Sequence, residues 1–197
     1  MDAITEKLLT EVKLRISDAQ NIFKDTKNFP TEKIIELSIA ILQCFRKGGK
    51  IAFVGNGGSA AEAIHIAAEF TGKCVKEHIP LPALCLNESQ SAITAIANDY
   101  GVEKMFSRLV DAHLKSGDIL IALSTSGNSK NIIEAISAAL AKNVKTILWT
   151  GKNASDSTKY DVWKVESSST PRVQEVHLVW GHVIAEIVES NLDLFRL

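Results

Sequence analysis

Five short apolar runs, Ile51 to Val54, Ala83 to Leu86, Ile119 to Leu123, Thr146 to Trp149 and Val162 to Val165, alternate with segments of helical periodicity. This alternation constrains the fold more than any other feature of the chain. Strands joined by helices need crossover connections, which favour a mostly parallel sheet covered on both faces. The helical segments fall near residues 59–73, 89–98, 103–115, 129–142 and 172–192. The expectation is an α/β fold, a three-layer α-β-α sandwich around a five-stranded, mostly parallel sheet. Two more helices precede the first strand. Residues 3–24 carry Ile4, Leu8, Leu9, Val12, Leu14, Ile16, Ile22 and Phe23 at roughly helical spacing. Residues 31–47 begin after Pro30 and stop at Gly48-Gly49. Together residues 1–48 read as an added helical hairpin, suited to an oligomer interface or to plain core packing. A chain of 197 residues without an internal repeat is most simply one domain, 1–197.

The charge balance narrows the partners. With 22 basic and 23 acidic residues the net charge is -1, which leaves no electrostatic footprint for nucleic acid or an anionic membrane. No run of about 18 apolar residues is present to span a bilayer. Cys44, Cys74 and Cys85 are an odd set without CxxC spacing, which suits a reducing compartment. The N-terminus "MDAITEKLLTEVKLRISDAQ" is charged throughout and does not read as a signal peptide. The expected location is the cytoplasm.

In open α/β sheets ligands bind beyond the carboxyl ends of the strands, where strand order reverses. Two strand ends are unusual here. "GNGGSA" follows Val54 and "STSGNS" follows Leu123. The first loop fits the loose dinucleotide pattern Gly55-x-Gly57-x-x-Ala60, a weak signal alone, and Glu88 lies late for a ribose-binding acid. A P-loop would need Gly-Lys-Ser/Thr, and the lysine is missing. A tight turn that merely needs positive φ would also use these glycines. The second loop discriminates among these readings. Ser124, Thr125, Ser126, Asn128 and Ser129 gather four hydroxyls and one amide at the start of a helix. One cap needs one such residue. Five of them, with the free N–H groups of a helix N-terminus, suit a monophosphate that must bind and leave. A second phosphate cradle of this kind points to a small phosphorylated substrate and away from a nucleotide cofactor.

His65 and Glu69 stand at i and i+4 on the helix after the glycine loop, so they share a face. Imidazole and carboxylate suit proton transfer, and they suit zinc equally. A surface pair would look the same in spacing, but Ile66, Ala67, Ala68 and Phe70 give it an apolar setting. Burying a carboxylate to no purpose is costly. The last helix offers Gln174, Glu175, His177 and His182. Helical spacing would pair Gln174 with His177. Gln174 and His182, at i and i+8, lie about 12 Å apart along the axis and roughly 80° apart around it, so one ion could just be reached.

In their order, "FVGNGGSAAEAIHIAAEFTGK", "IANDYG", "ALSTSGNSKN" and "TPRVQEVHLVWGH" resemble the sugar-isomerase (SIS) domain family, and within it the phosphoheptose isomerases. The resemblance covers nearly the whole chain. It implies a flavodoxin-like SIS fold, a homotetramer, and conversion of sedoheptulose 7-phosphate to D-glycero-D-manno-heptose 7-phosphate through an enediol(ate), supplying heptose for cell-surface polysaccharide. It implies Glu69 as the proton-transferring base and His182, not His177, as its acid/base partner. It implies a zinc ion, one per subunit, on His65, Glu69, Gln174 and His182. Ser59, Ser124, Thr125, Ser126 and Ser129 would hold the phosphate. Asn56, Gly57, Gly58, Asn98, Asp99 and Gln174 would meet the rest of the sugar. Two positions depart from the common pattern. Pro171 stands where many relatives carry an acidic residue or alanine, and Lys73 replaces a frequent arginine, keeping charge but losing a bidentate grip. The alternative within this fold is a regulator without catalysis, of the replication-initiator-associating type, or a sugar-phosphate sensor. Such a protein needs the phosphate cradle but not the full Glu/Gln/His set.

Overall fold

A computed structural model describes residues 2–197. The strands are β1 (Ile51–Gly55), β2 (Ala83–Cys85), β3 (Ile119–Leu123), β4 (Lys145–Gly151) and β5 (Asp161–Val165). They pair in parallel throughout, in the order β2-β1-β3-β4-β5. The helices are α1 (Ala3–Lys24), α2 (Thr31–Arg46), α3 (Gly58–Thr71), α4 (Gln90–Tyr100), α5 (Met105–His113), α6 (Lys130–Ala141) and α7 (Thr170–Glu189). A short 3₁₀ turn, Val102–Lys104, replaces the expected start of α5. Pro171 lies in the first turn of α7, so that helix begins two residues earlier than its pattern suggested. Proline is tolerated there because the first turn has no N–H to pair within the helix.

The period-two alternation of strands divides the core into two layers. Ile51, Phe53, Ile119, Ile121, Leu123, Ile147 and Trp149 face α2, α3 and α7. Ala52, Val54, Leu120, Ala122 and Leu148 face α5 and α6, against Phe106, Leu109, Val110, Ile132 and Ile136. Trp149, Trp163 and Trp180 form one aromatic cluster with ring centroids 5.6 to 5.9 Å apart. The buried Trp180 donates Nε1–H to the Asn28 carbonyl at 2.7 Å, anchoring the α1–α2 turn to α7.

Both N-terminal helices form, and each finds its main packing partner in α7. Helix α2 buries Ile34, Leu37, Ile41, Leu42 and Phe45, as its i, i+3, i+7 spacing directs. Helix α1 has no fully buried residue over its 22, and only Ile22 packs partly against the core. Among the described residues, no helix is long and apolar enough to cross a membrane.

Candidate active site

Strand order reverses between β1 and β3, which are neighbours in the sheet. The two unusual loops leave the carboxyl ends of these strands side by side, because Gly55 pairs with Leu123. The crevice at such a reversal is where parallel sheets bind ligands.

Two glycines shape the glycine loop. Gly57 caps α3 at φ +53, in the left-handed region. At Gly58 a Cβ would lie 2.4 Å from the Gln174 amide nitrogen, so the bare backbone lets the Gln174 side chain of α7 rest directly on the loop. Gln174 donates to Ser59 Oγ at 3.3 Å. Strand β2 is too short to pair the end of β1, and Asn87 takes over. Its amide accepts from Gly55 N–H at 3.1 Å and donates to Gly55 C=O at 2.9 Å. Glu88, the residue weighed for a ribose, accepts from the Cys85 N–H and serves the local turn.

In the serine loop Ser124 donates to Ser129 Oγ at 3.2 Å, and Ser126 Oγ accepts from the Asn128 N–H at 3.4 Å. Thr125 lies 3.5 Å from the Thr170 hydroxyl at the start of α7. Ser129 precedes α6 without using its hydroxyl as a cap. The free N–H groups of that helix start therefore remain available to an anion.

Helices α3 and α7 lie against each other, and their contact assembles the titratable groups. His65 Nε2 is 3.0 Å from His182 Nε2 and 2.9 Å from Glu69 Oε1. These three ligand atoms all lie within 4.8 Å of one another. Two imidazoles and a carboxylate this compact make an N₂O donor set of the kind zinc takes. Gly181, next to His182, permits the approach, because a Cβ there would meet Ile66 of α3 at 2.5 Å.

His177 sits elsewhere. It is fully buried between Trp149 and Trp180, with ring centroids 5.9 and 5.3 Å away. Burial pushes its pKa down to about 3, so it stays neutral. Gln174, for its part, is engaged with Ser59. Asn98 and Asp99 are exposed and bonded to each other at 2.8 Å, with no hydrogen bond to either loop among the described residues. Lys73 pairs with Glu77 on the surface. Cys74 is held protonated, its thiol pushed up to about 12 by burial and then by the Glu69 carboxylate beside it.

Three residues of this region escaped the sequence reading. Asn87 holds β1, Asn131 bonds Asn56 across the two loops, and Glu62 lies on α3 one turn before His65 with both carboxylate oxygens buried and unpaired. Asn and Asp are weak helix formers, so an asparagine inside the first turn of α6 was the one available signal.

Residues 16–151 match the SIS domain family. The phosphoheptose isomerase of Rhodospirillum rubrum is 45% identical over 161 residues, covering 81% of this chain and 86% of the relative. That of Roseiflexus sp. is 40% identical over 195 residues, covering 97% and 96%. The solved phosphoheptose isomerase of Neisseria gonorrhoeae superposes with a TM-score of 0.85 at 34% identity, covering 93% of this chain and 99% of that one. On this similarity across nearly its full length, the chain belongs to the phosphoheptose isomerase family of SIS-domain proteins.

Proposed function

We propose that the protein interconverts sedoheptulose 7-phosphate and D-glycero-D-manno-heptose 7-phosphate. The observation that carries this reading is the meeting of His65, Glu69 and His182 where α3 and α7 pack together, in a chain whose hydroxyl-rich loop after β3 suits a phosphate. A sensor needs the loop but has no use for a base beside it.

Ser124, Thr125, Ser126 and Ser129 hold the phosphate with uncharged donors at the start of α6, and Ser59 faces it from the glycine loop. This grip fixes the sugar so that its first two carbons lie at Glu69, turning a proton transfer into a local event. Glu69 removes the proton from the carbon beside the carbonyl and returns it to the neighbouring carbon. His182 exchanges the proton between the two oxygens, and its ring nitrogen stands ready at that carboxylate's partner, His65. Zinc fits the cluster: His65, Glu69 and His182 would hold it, with Gln174 as a fourth donor if its amide turns from Ser59. When bound, the ion would polarise the substrate oxygens as a Lewis acid. The exposed apolar stripe of α1 supports a homotetramer.

The test is incubation with sedoheptulose 7-phosphate and NMR of the products. Glu69→Gln keeps shape and loses the base, so turnover should fall by the ~10²–10⁴-fold typical of acid–base groups while substrate still binds. Near-normal turnover in that variant would remove Glu69 from the reaction.

A further inference from the structure

The glycine loop and the serine loop leave different strands, yet one pair of side chains ties them together. Asn56 Nδ2–H donates to Asn131 Oδ1 at 2.9 Å, and Asn131 Nδ2–H donates back to Asn56 Oδ1 at 2.9 Å. These are the only side-chain hydrogen bonds between the two loops among the described residues. Asn131 is 8% exposed and sits in the first turn of α6, the helix whose start frames the phosphate loop. Asparagine costs roughly half a kcal/mol or more in a helix relative to alanine, so its presence there asks for a compensating contact. The clasp supplies it.

We propose that Asn131 is a positioning residue for the sugar phosphate: by clasping Asn56 it fixes the distance between the loop that holds the phosphate and the loop that borders the reacting carbons. A sugar phosphate must span both loops at once, and a span held before binding need not be ordered during it. The clasp also reassigns Asn56. Its amide oxygen and one N–H are committed to Asn131, so the glycine loop meets the sugar chiefly through backbone N–H groups and through Ser59.

This inference rests on the isomerase reading, and the experiment separates the two. Wild-type turnover of sedoheptulose 7-phosphate controls that reading. If the wild type makes no aldose, the reading fails, and the clasp is judged by calorimetric binding of sedoheptulose 7-phosphate and of inorganic phosphate. Asn56→Ala, Asn131→Ala and the double variant are compared with the wild type. Each single variant should lower kcat/KM and sugar-phosphate affinity about tenfold, as expected for two modest hydrogen bonds. The double variant should be no worse than either, because both singles break one clasp. Inorganic phosphate, held chiefly by the serine loop, should bind each variant within about twofold of the wild type. Asn131→Asp adds a readout that general loss of structure would not give. Its carboxylate opposes the Asn56 oxygen, whereas the protonated acid again offers one donor and one acceptor. Activity relative to the wild type at the same pH should therefore rise between about pH 8 and about pH 5.5, since burial lifts a carboxyl pKa toward that range. Wild-type behaviour of Asn131→Ala, multiplying effects in the double variant, or equal loss of inorganic phosphate would each overturn the proposal. If Asn131→Ala fails to fold, a flat pH ratio for Asn131→Asp overturns it alone.

Discussion

Glu62, half-buried with its carboxylate oxygens out of solvent, and the fully buried His177 have opposite consequences for stability. Burial lifts the Glu62 carboxyl to about 7, only partly offset by the nearby Ser59 hydroxyl. Its folded pKa lies above the ordinary 4.5, so the folded chain keeps a proton that the unfolded chain releases. That contribution is complete below pH 4.5 and is lost as pH rises through about 7. His177 behaves in the reverse sense. Its folded pKa of about 3 lies below the ordinary 6.5, so its contribution is complete above pH 6.5 and is lost as pH falls toward 3. Between pH 4.5 and 6.5 the two slopes oppose each other. Glu62→Gln removes one of them. Measured by urea midpoints, this variant should gain on the wild type as pH is raised from about 5 to about 8. Equal differences at both pH values would mean that the carboxylate finds solvent or a partner. The sequence alone carried one sign of this arrangement for His177. It lies on the stripe Val173, Val176, His177, Trp180 and Ile184, the apolar face of α7, and all five are buried. His182 lies off that stripe and is free to meet α3. Spacing from Gln174 was therefore a poorer guide than the face each histidine occupies.

The elements themselves were legible because most strands are short runs dominated by apolar residues, with Lys164 the interruption in β5, and most helices have a stop or cap. The contact between α3 and α7 was not, since nothing local says which helix faces will meet across a separation of more than a hundred residues. Ser59 meets Gln174, Ile66 meets Gly181 and His65 meets His182, so the two helices advance together. The same limit hid the bond between Asn56 and Asn131, 75 residues apart. Gly181 sets the spacing of this helix pair. A Cβ there would lie 2.5 and 2.6 Å from Ile66 Cγ1 and Cδ1, and β-branched Ile66 has little rotamer freedom to yield. Gly181→Ala should cost about 1–3 kcal/mol by overpacking. It should also push His182 away from His65, so activity should fall further than the loss of stability explains. Thermal unfolding and turnover on the same preparation decide this. Full activity would show that the helices can part without separating the histidines.

At the scale of the whole molecule, α1 lies against α7 but leaves most of its apolar side chains exposed in a single protomer. Ile4, Leu8, Leu9, Val12, Ile16 and Phe23 are 41 to 73% exposed and fall within about 140° of arc at 100° per residue. A stripe of that kind calls for a partner, and a second copy of the chain is the partner that the family suggests. Light scattering should give about four times the 21.5 kDa chain mass. Asn98 and Asp99 would give such an assembly a chemical purpose. Both are expected substrate contacts, yet in one protomer they are exposed and bonded only to each other. In a tetramer they can face the site of a neighbour. Complementation tests this directly. Asp99→Ala and Glu69→Gln chains, each expected to be inactive alone, are mixed after mild dissociation and allowed to reassemble. If Asp99 serves a neighbouring site, some sites in the mixture draw an intact Glu69 from one chain and an intact Asp99 from the other, and turnover returns. If Asp99 serves its own protomer, every site carries one defect and the mixture stays inactive. A strict monomer at micromolar concentration would leave Asp99 outside the reaction and α1 without its partner.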